Sequence, residues 1–212
     1  METGHTQLDI KIFGKTQLPV FGRKLYVAGL IDQGSKFFYS EVLVQQTTVE
    51  LIEFYKRAYV YFEEHGITIK RTRTDNAMQF KETNFVRSPQ FYDLLKSLKV
   101  EHQFTPLGVS QANGQIENIF GKYDKELLPG IWDVAEMKVF EEKVKQYVEY
   151  HNFYRYHTNS INKYDDRFPK YIIPINFLKG LNEIDFKGEI YLPPVHGHIE
   201  HLSSEIDYGS KE

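Results

Sequence analysis

The chain has 212 residues, 41% of them hydrophobic and 15% aromatic, which is enough to bury a core in one large domain, alone or with an appendage. The absence of cysteine excludes disulfides and thiolate metal sites, and no apolar run or N-terminal pattern indicates a membrane span or signal peptide, so we expect a soluble cytoplasmic protein. The net charge of −3 argues against a free-standing nucleic-acid binder, although basic residues concentrate in the first 75 positions.

Three strand-like stretches open the chain: TQLDIKIF (6–13), KLYVAGLI (24–31) and FFYSEVLVQ (37–45). The two connections between them contain glycine and are short enough for antiparallel hairpins. An amphipathic helix follows, in which Thr47 and Glu50 have the spacing of a capping box and Gly66 marks the end. Its buried stripe is predicted to be Leu51, Tyr55, Ala58 and Phe62.

Strands and helices then alternate. A strand, ITIKRTRTD, runs to Asp75, and a helix begins with Ser88 as N-cap and Pro89 as its first residue. The strand VEHQFTP leads to a helix from about Gln111, and another amphipathic helix covers about 136–151. The buried stripe of the helix from Gln111 is expected to be Ile116, Ile119 or Phe120, Tyr123 and Leu127.

This order predicts an α/β fold with a mixed five-stranded sheet: three antiparallel strands, then two strands that alternate with helices, with helices on the faces of the sheet. We expect one domain over residues 1–180. Residues 181–212 are predicted to be a strand-like or extended appendage, and their three histidines, His196, His198 and His201, offer an incomplete set of zinc ligands.

The stretch YVAGLIDQGSK contains Gly-Leu-Ile-Asp, the centre of the helical motif of the LAGLIDADG homing endonucleases. Its flanks are β-branched and aromatic, no helical stripe spans residues 24–33, and DQGS has the composition of a turn. We therefore predict a strand at 24–31 with Asp32 opening a hairpin. A homing endonuclease that uses one copy of the motif in a homodimer is the alternative.

Three carboxylates stand at positions suited to a metal site. Asp9 lies within the first strand, Asp75 ends the fourth strand, where sites form in open sheets, and Glu117 lies inside a later helix, off its apolar stripe. Separately, each has an ordinary alternative: an edge-strand Asp, an Asx turn and a solvated Glu. Together, hard oxygen ligands of this kind suit Mg²⁺, and two divalent cations held by carboxylates promote in-line displacement at phosphorus.

The chain resembles the catalytic core of DDE transposases and retroviral-type integrases, which has the ribonuclease H-like fold, and especially bacterial insertion-sequence transposases. The resemblance covers about residues 6–180. It is carried by LYVAGLIDQGSKFFYSEVLV, HGITIKRTRTDNAMQF, FTPLGVSQANGQIENIFGKYDKEL, and YHNFYRYH followed by RFPKYI.

The resemblance implies an enzyme of a mobile element that cuts DNA strands and joins them to a target. Asp9, Asp75 and Glu117 would bind Mg²⁺, with Mn²⁺ as a substitute. The partners would be double-stranded DNA and at least one further copy of the chain, in a bacterial cytoplasm at the nucleoid. The expected DNA-contacting residues are Arg71, Arg73, Asn76, Asn113, Gly114, Lys122, Lys125 and Arg155.

The chain departs from the family pattern in spacing and in side chains. Between Asp75 and Glu117 lie 41 residues (76–116), several more than usual, and KETNFVRSPQ (81–90) is the expected insertion. The substituted positions are Ala77, Gln79, Asn118 and Tyr156. They spare the three carboxylates, but they reduce the charge available to DNA. Two alternatives stay open: a hydrolytic nuclease of the same fold, and a non-catalytic module that assembles on DNA or protein.

Overall fold

The computed structural model describes residues 3–75, 81–83, 86–87, 89–106, 113–158 and 171–179. The strands are β1 (His5–Phe13), β2 (Leu25–Asp32), β3 (Phe38–Leu43), β4 (Arg71–Thr74), β5 (Lys81–Thr83), β6 (Val86–Arg87), β7 (Glu101–Phe104), β8 (His157–Thr158) and β9 (Tyr171–Ile172). The α-helices are α1 (Thr48–Glu64), α2 (Pro89–Ser97), α3 (Gly114–Lys122), α4 (Met137–Phe153) and α5 (Pro174–Leu178). None of these helices combines the length and apolar character needed to cross a membrane.

Five strands form the main sheet of the described residues, in the order β3-β2-β1-β4-β7. β1 pairs antiparallel with β2 and parallel with β4, and β4 pairs parallel with β7. The predicted mixed sheet and its element order are confirmed. The strand β1 is central, so the alternative of Asp9 on an edge strand is wrong.

Two apolar cores lie on opposite faces of this sheet because side chains alternate along each strand. Leu8 and Ile10 of β1 pack with the buried residues of α1 and α2. Phe13 of the same strand packs on the other face, with Ile116 of α3 and Phe140 of α4. The sheet is therefore covered on both sides, as expected for strands that alternate with helices.

Residues 25–32 form a strand, so Gly-Leu-Ile-Asp is not a helical motif and the homing-endonuclease alternative is wrong. Asp32 closes the turn that follows. Its Oδ2 accepts hydrogen bonds from the backbone N–H and the hydroxyl of Ser35, both at 2.7 Å, and its Oδ1 accepts one from the N–H of Gly4 at 2.7 Å. The buried carboxylate ties the β2–β3 hairpin to the start of the chain.

The predicted helix ends are confirmed for α1 and adjusted elsewhere. The Thr47 hydroxyl accepts from the N–H of Glu50, but the Glu50 carboxylate accepts from Gln45 N–H, so the capping box is not reciprocal. Gly66 has a φ of +79°, as a left-handed C-terminal position requires. Pro89 begins α2, whereas the expected cap Ser88 lies outside the described residues.

The helix expected from Gln111 begins at Gly114 among the described residues, and its α-helical geometry ends at Lys122. A π-helical turn continues it over Tyr123–Leu127, and a 3-10 turn follows at Leu128–Gly130. The predicted stripe is nevertheless buried throughout. The insertion proposed at 81–90 contains the small antiparallel pair of β5 and β6, while the appendage 181–212 lies outside the described residues.

Candidate active site

Asp9 and Asp75 lie side by side at the centre of the sheet. In the parallel pairing of β1 with β4, Leu8 is the partner of Thr74, and each aspartate is the next residue of its chain segment. Neighbouring strands are about 4.8 Å apart, and residues at matching positions of parallel strands point to the same face. Two residues that are distant in sequence are thereby brought together by one strand pairing.

The helix α3 lies over the same face of the sheet and carries Glu117. The backbone N–H of Ile116 donates a hydrogen bond to Oε1 of Gln7 on β1, at 3.1 Å. Close approach depends on Gly29, the β2 partner of Asp9. A Cβ atom at Gly29 would lie 3.0 Å from the ring of Phe120 and 3.1 Å from Cδ1 of Ile116, so a strand glycine makes room for the helix.

The three carboxylates interact electrostatically. Burial, together with the smaller effects of the negative charges of Asp75 and Glu117, raises the pKa of Asp9 to about 7 against the lowering effect of the Ile10 N–H. That N–H donates to Oδ1 of Asp9 at 2.8 Å. The structure therefore brings the three predicted residues into one electrostatic neighbourhood that favours a cation.

The donor chemistry of this neighbourhood fits a hard divalent cation, because all three groups are carboxylates and the negative charges of Asp75 and Glu117 both act on Asp9. Within the described ranges, however, no three acidic, histidine or cysteine side chains are close enough to form a complete metal-ligand group. Glu117 is exposed on its helix. Coordination of one cation by all three groups would require the Glu117 side chain to turn toward Asp9 and Asp75.

The predicted DNA-contacting arginines of β4 lie on the same face as Asp75. Arg71 forms an ion pair with Glu101 of β7 at 2.8 Å, and the Arg73 guanidinium donates to Oε1 of Gln103 at 2.8 Å. Both cations are therefore held against the neighbouring strand. They form a polar surface beside the carboxylates rather than part of either core.

The remaining predicted contacts are distributed around α3. Asn113 precedes the helix and is buried, its side chain does not cap the helix, and Gly114 is the first helical residue. Lys122 ends α3, where burial and the charge of Arg155 lower its pKa, and Lys125 is exposed in the π-helical turn. Asn76 lies outside the described residues.

Arg155 and His157 have structural partners in this protein. The Arg155 guanidinium pairs with both carboxylate oxygens of Glu126, one of them at 2.8 Å. Nε2 of His157 lies 3.2 Å from the carbonyl oxygen of His151, and the two imidazole rings are 4.1 Å apart. The histidines His196, His198 and His201 lie outside the described residues.

Two residues of the site were not identified from the sequence. Gln7 and Lys11 flank Asp9 at two residues on either side, so strand alternation places all three side chains on one face of β1. Gln7 binds the start of α3, and Lys11 forms an ion pair with Asp124 at 2.8 Å. Their alternation with Asp9 was visible in TQLDIKIF, but their partners on a distant helix were not.

Comparison with known proteins gives a curated relative by sequence. The chain is 30% identical to "Putative integrase ORF3" of Spiroplasma virus SpV1-C74 over 195 residues, which cover 86% of this chain and 49% of the relative. The chain thus spans about half the length of the curated relative it matches. No protein-family model matches the chain.

Solved structures of viral integrases share the fold. A chain of the simian T-cell lymphotropic virus intasome in complex with the PP2A regulatory subunit B56 gamma matches with a TM-score of 0.60 at 17% identity, covering 74% of this chain and 50% of that one. The catalytic core domain of BIV integrase matches with a TM-score of 0.55 at 14% identity, covering 73% of this chain and 86% of that one. The HTLV-2 integrase catalytic core domain was solved as a dimer in complex with magnesium. It matches with a TM-score of 0.55 at 15% identity, covering 74% of this chain and 90% of that one.

Proposed function

We propose that this integrase-type, ribonuclease H-like core is a polynucleotidyl transferase that cuts DNA strands and joins the freed end to a target. The observation that supports the proposal is that Asp75 follows the strand paired with that of Asp9, that α3 carries Glu117 over the same face of the sheet, and that both carboxylates raise the pKa of Asp9. The sequence relative and the integrase folds support the same chemistry.

Asp9, Asp75 and Glu117 would hold Mg²⁺, or Mn²⁺ in its place. Divalent cations bound there would activate water or a 3′-hydroxyl and stabilise the leaving oxygen of an in-line displacement at phosphorus. The Asp9 carboxyl has to release its proton before it can act as a ligand, and its raised pKa makes that release part of binding. Asp9 lies in β1 and Asp75 directly follows the paired strand β4, and the exposed Glu117 side chain would have to turn toward them.

The surface around the carboxylates would bind the DNA backbone. Arg71 and Arg73 border the site on β4, and Lys122 and Lys125 follow Glu117 along its helical path. Contacts of this kind position a phosphate backbone and read no base sequence. We propose double-stranded DNA, as element ends and as target, for the substrate, and an assembly of at least two copies.

Cleavage and joining of labelled oligonucleotide duplexes in Mg²⁺ or Mn²⁺ test this function. We expect wild type to give both products, and Asp75→Asn to give neither while its melting temperature stays nearly unchanged, because Asp75 belongs to neither apolar core. Asp93→Asn, an exposed aspartate on α2 at the opposite face, is the matched control and should retain both reactions.

The products also separate the alternatives. Cleavage without joining would replace the transferase by a hydrolytic nuclease of the same fold. Cleavage that survives Asp75→Asn would contradict the assignment of the site. Absence of both reactions in folded wild type, with DNA binding retained, would favour a non-catalytic assembly module.

A further inference from the structure

The residues on either side of Asp9 connect β1 to both ends of the segment that carries Glu117. Gln7 accepts the Ile116 N–H at the start of α3. Lys11 pairs with Asp124 in the π-helical turn directly after α3, with Nζ at 2.8 Å from Oδ1 and 2.9 Å from Oδ2. We call Gln7, Lys11 and Asp124 the α3 brace.

The brace has the geometry of an alignment device. Gln7, Asp9 and Lys11 share one face of β1, and their partners Ile116 and Asp124 bracket Glu117 on the helix. A helix that is attached at two separated points to one strand cannot slide along that strand or rotate freely over it. The Asp9 to Glu117 distance is therefore set by contacts on both sides of Asp9.

The two attachments are protected to different degrees from solvent. Gln7 is buried, and the Lys11 side chain is only 13% exposed, although the Asp124 side chain is 41% exposed. Nε2 of Gln17 also donates to Asp124 Oδ1, at 3.3 Å. A largely covered lysine with a two-oxygen partner is a better fixed contact than a typical surface ion pair.

The π-helical turn explains how one short segment makes contacts in two directions. Such turns add a residue to the helical repeat and recur at functional sites. Here Asp124 points to β1, whereas Glu126 binds Arg155 and accepts a hydrogen bond from the Tyr147 hydroxyl at 3.1 Å on the side of α4. The end of α3 is thus held against the sheet and against α4 at once.

We propose that the α3 brace is a positioning element that aligns Glu117 with Asp9 and Asp75, and that the Lys11–Asp124 pair fixes the end of the segment that follows Glu117. This inference rests on the proposed function, since it concerns the same site. It predicts that Glu117 contributes to metal binding only while Lys11 and Asp124 remain paired.

The test is a double-mutant cycle between Lys11 and Glu117, read by calorimetric titration of Mn²⁺ into the full chain. We expect Glu117→Gln to weaken Mn²⁺ binding roughly tenfold in wild type. In a Lys11→Met background we expect the same substitution to weaken it less than about twofold, because loss of the orienting Lys11 would already have cost the site the contribution of Glu117, roughly tenfold. Comparing the two effects of Glu117→Gln removes any direct influence of the lysine charge on the cation.

Two control backgrounds make the cycle specific. Lys11→Arg keeps the ion pair and should preserve the full cost of Glu117→Gln. Lys56→Met removes the Lys56–Glu53 surface pair of α1, on the other face of the sheet. This background should also preserve the full cost of Glu117→Gln. If Lys11→Met does not fold, Asp124→Asn breaks the same pair from the helix side.

The outcomes are distinct. An undiminished cost of Glu117→Gln in the Lys11→Met background would overturn the brace and leave the proposed function intact. No cost of Glu117→Gln in wild type would overturn the metal site, and the brace with it, because the brace acts only through Glu117.

Discussion

Asp9 is the residue at which the proposed function opposes stability. Its carboxyl lies in the middle of a five-stranded sheet, and burial and two neighbouring carboxylates keep its pKa at about 7. An acid whose pKa is raised by folding binds its proton more tightly in the folded state, so its contribution to the free energy of unfolding falls as the pH rises. Repulsion of this kind is what a bound cation would relieve.

We predict that Asp9→Asn stabilises the metal-free protein at pH 8 but not at pH 4. In wild type the pKa of Asp9 is 3.8 in the unfolded state and about 7 in the folded state. The loss of unfolding free energy therefore develops between these two pH values and reaches at most about 4 kcal/mol. Thermal melting in EDTA at pH 4 and at pH 8 measures the difference in stability between the variant and wild type. A constant difference would contradict the raised pKa.

Gly29 tests the close approach of α3 to the sheet. We predict that Gly29→Ala destabilises the fold by about 1–3 kcal/mol, because the new methyl group would lie within 2.9 Å of the Phe38 ring and would push α3 outward. In Gly121→Ala, on the open side of the same helix, the methyl group meets no atom within 4 Å and should add about 0.5–1 kcal/mol of helix stability. Urea unfolding of both variants checks the opposite signs.

At the scale of elements, the end of α4 is fastened to the edge of the sheet. Asn152 accepts a hydrogen bond from Phe38 N–H at 2.8 Å and donates one to Phe38 O at 2.7 Å, as a neighbouring strand would. Next to it, Nε2 of His151 lies 2.9 Å from the Lys36 carbonyl oxygen, and the ring of His157 contacts that of His151. Burial keeps the pKa of His151 well below its ordinary value and lowers that of His157 to about 4.

We predict that this connection is lost in acid. A histidine whose pKa is lowered by folding contributes stability that is present above its unfolded value of 6.5 and is lost as the pH falls toward its folded value of about 4. For His157 the free energy of unfolding lost over this pH range is about 3 kcal/mol. In His157→Gln the decline of unfolding free energy from pH 7 to pH 4 should be smaller by that amount.

Chemical denaturation across this pH range provides the measurement. An unchanged slope in His157→Gln would show that His157 is not the group that titrates.

For the whole molecule, local patterns predicted the elements well, because strand alternation and helical stripes are properties of short segments. The element order predicted a mixed sheet but not the spatial order of its strands, and the assignment of Asp9, Asp75 and Glu117 to one metal site combined their positions in these elements with resemblance to a family. No local pattern predicts that Ile116 N–H meets Gln7 or that Asp124 meets Lys11, because these contacts join residues more than 100 positions apart. The π-helical turn was missed since its apolar spacing also suits an α-helix.

The distribution of charge over the molecule predicts weak, salt-dependent binding to DNA. With a net charge of −3, affinity has to come from a local basic surface. We expect Lys125→Ala to reduce the slope of log affinity against log salt concentration by about one, as the loss of one phosphate contact does. Lys56→Ala, on α1 at the opposite face, should leave the slope unchanged, and fluorescence anisotropy over a salt series distinguishes the two.

The most direct test of the central claim is calorimetric titration of Mn²⁺ into wild type and into Asp9→Asn, Asp75→Asn and Glu117→Gln. If these three carboxylates form one metal site, wild type binds Mn²⁺ and each substitution weakens the binding while the melting transition shows that the variants are folded. Binding that is indifferent to all three substitutions would contradict the claim, and the chain would then have the fold of an integrase core without its metal site.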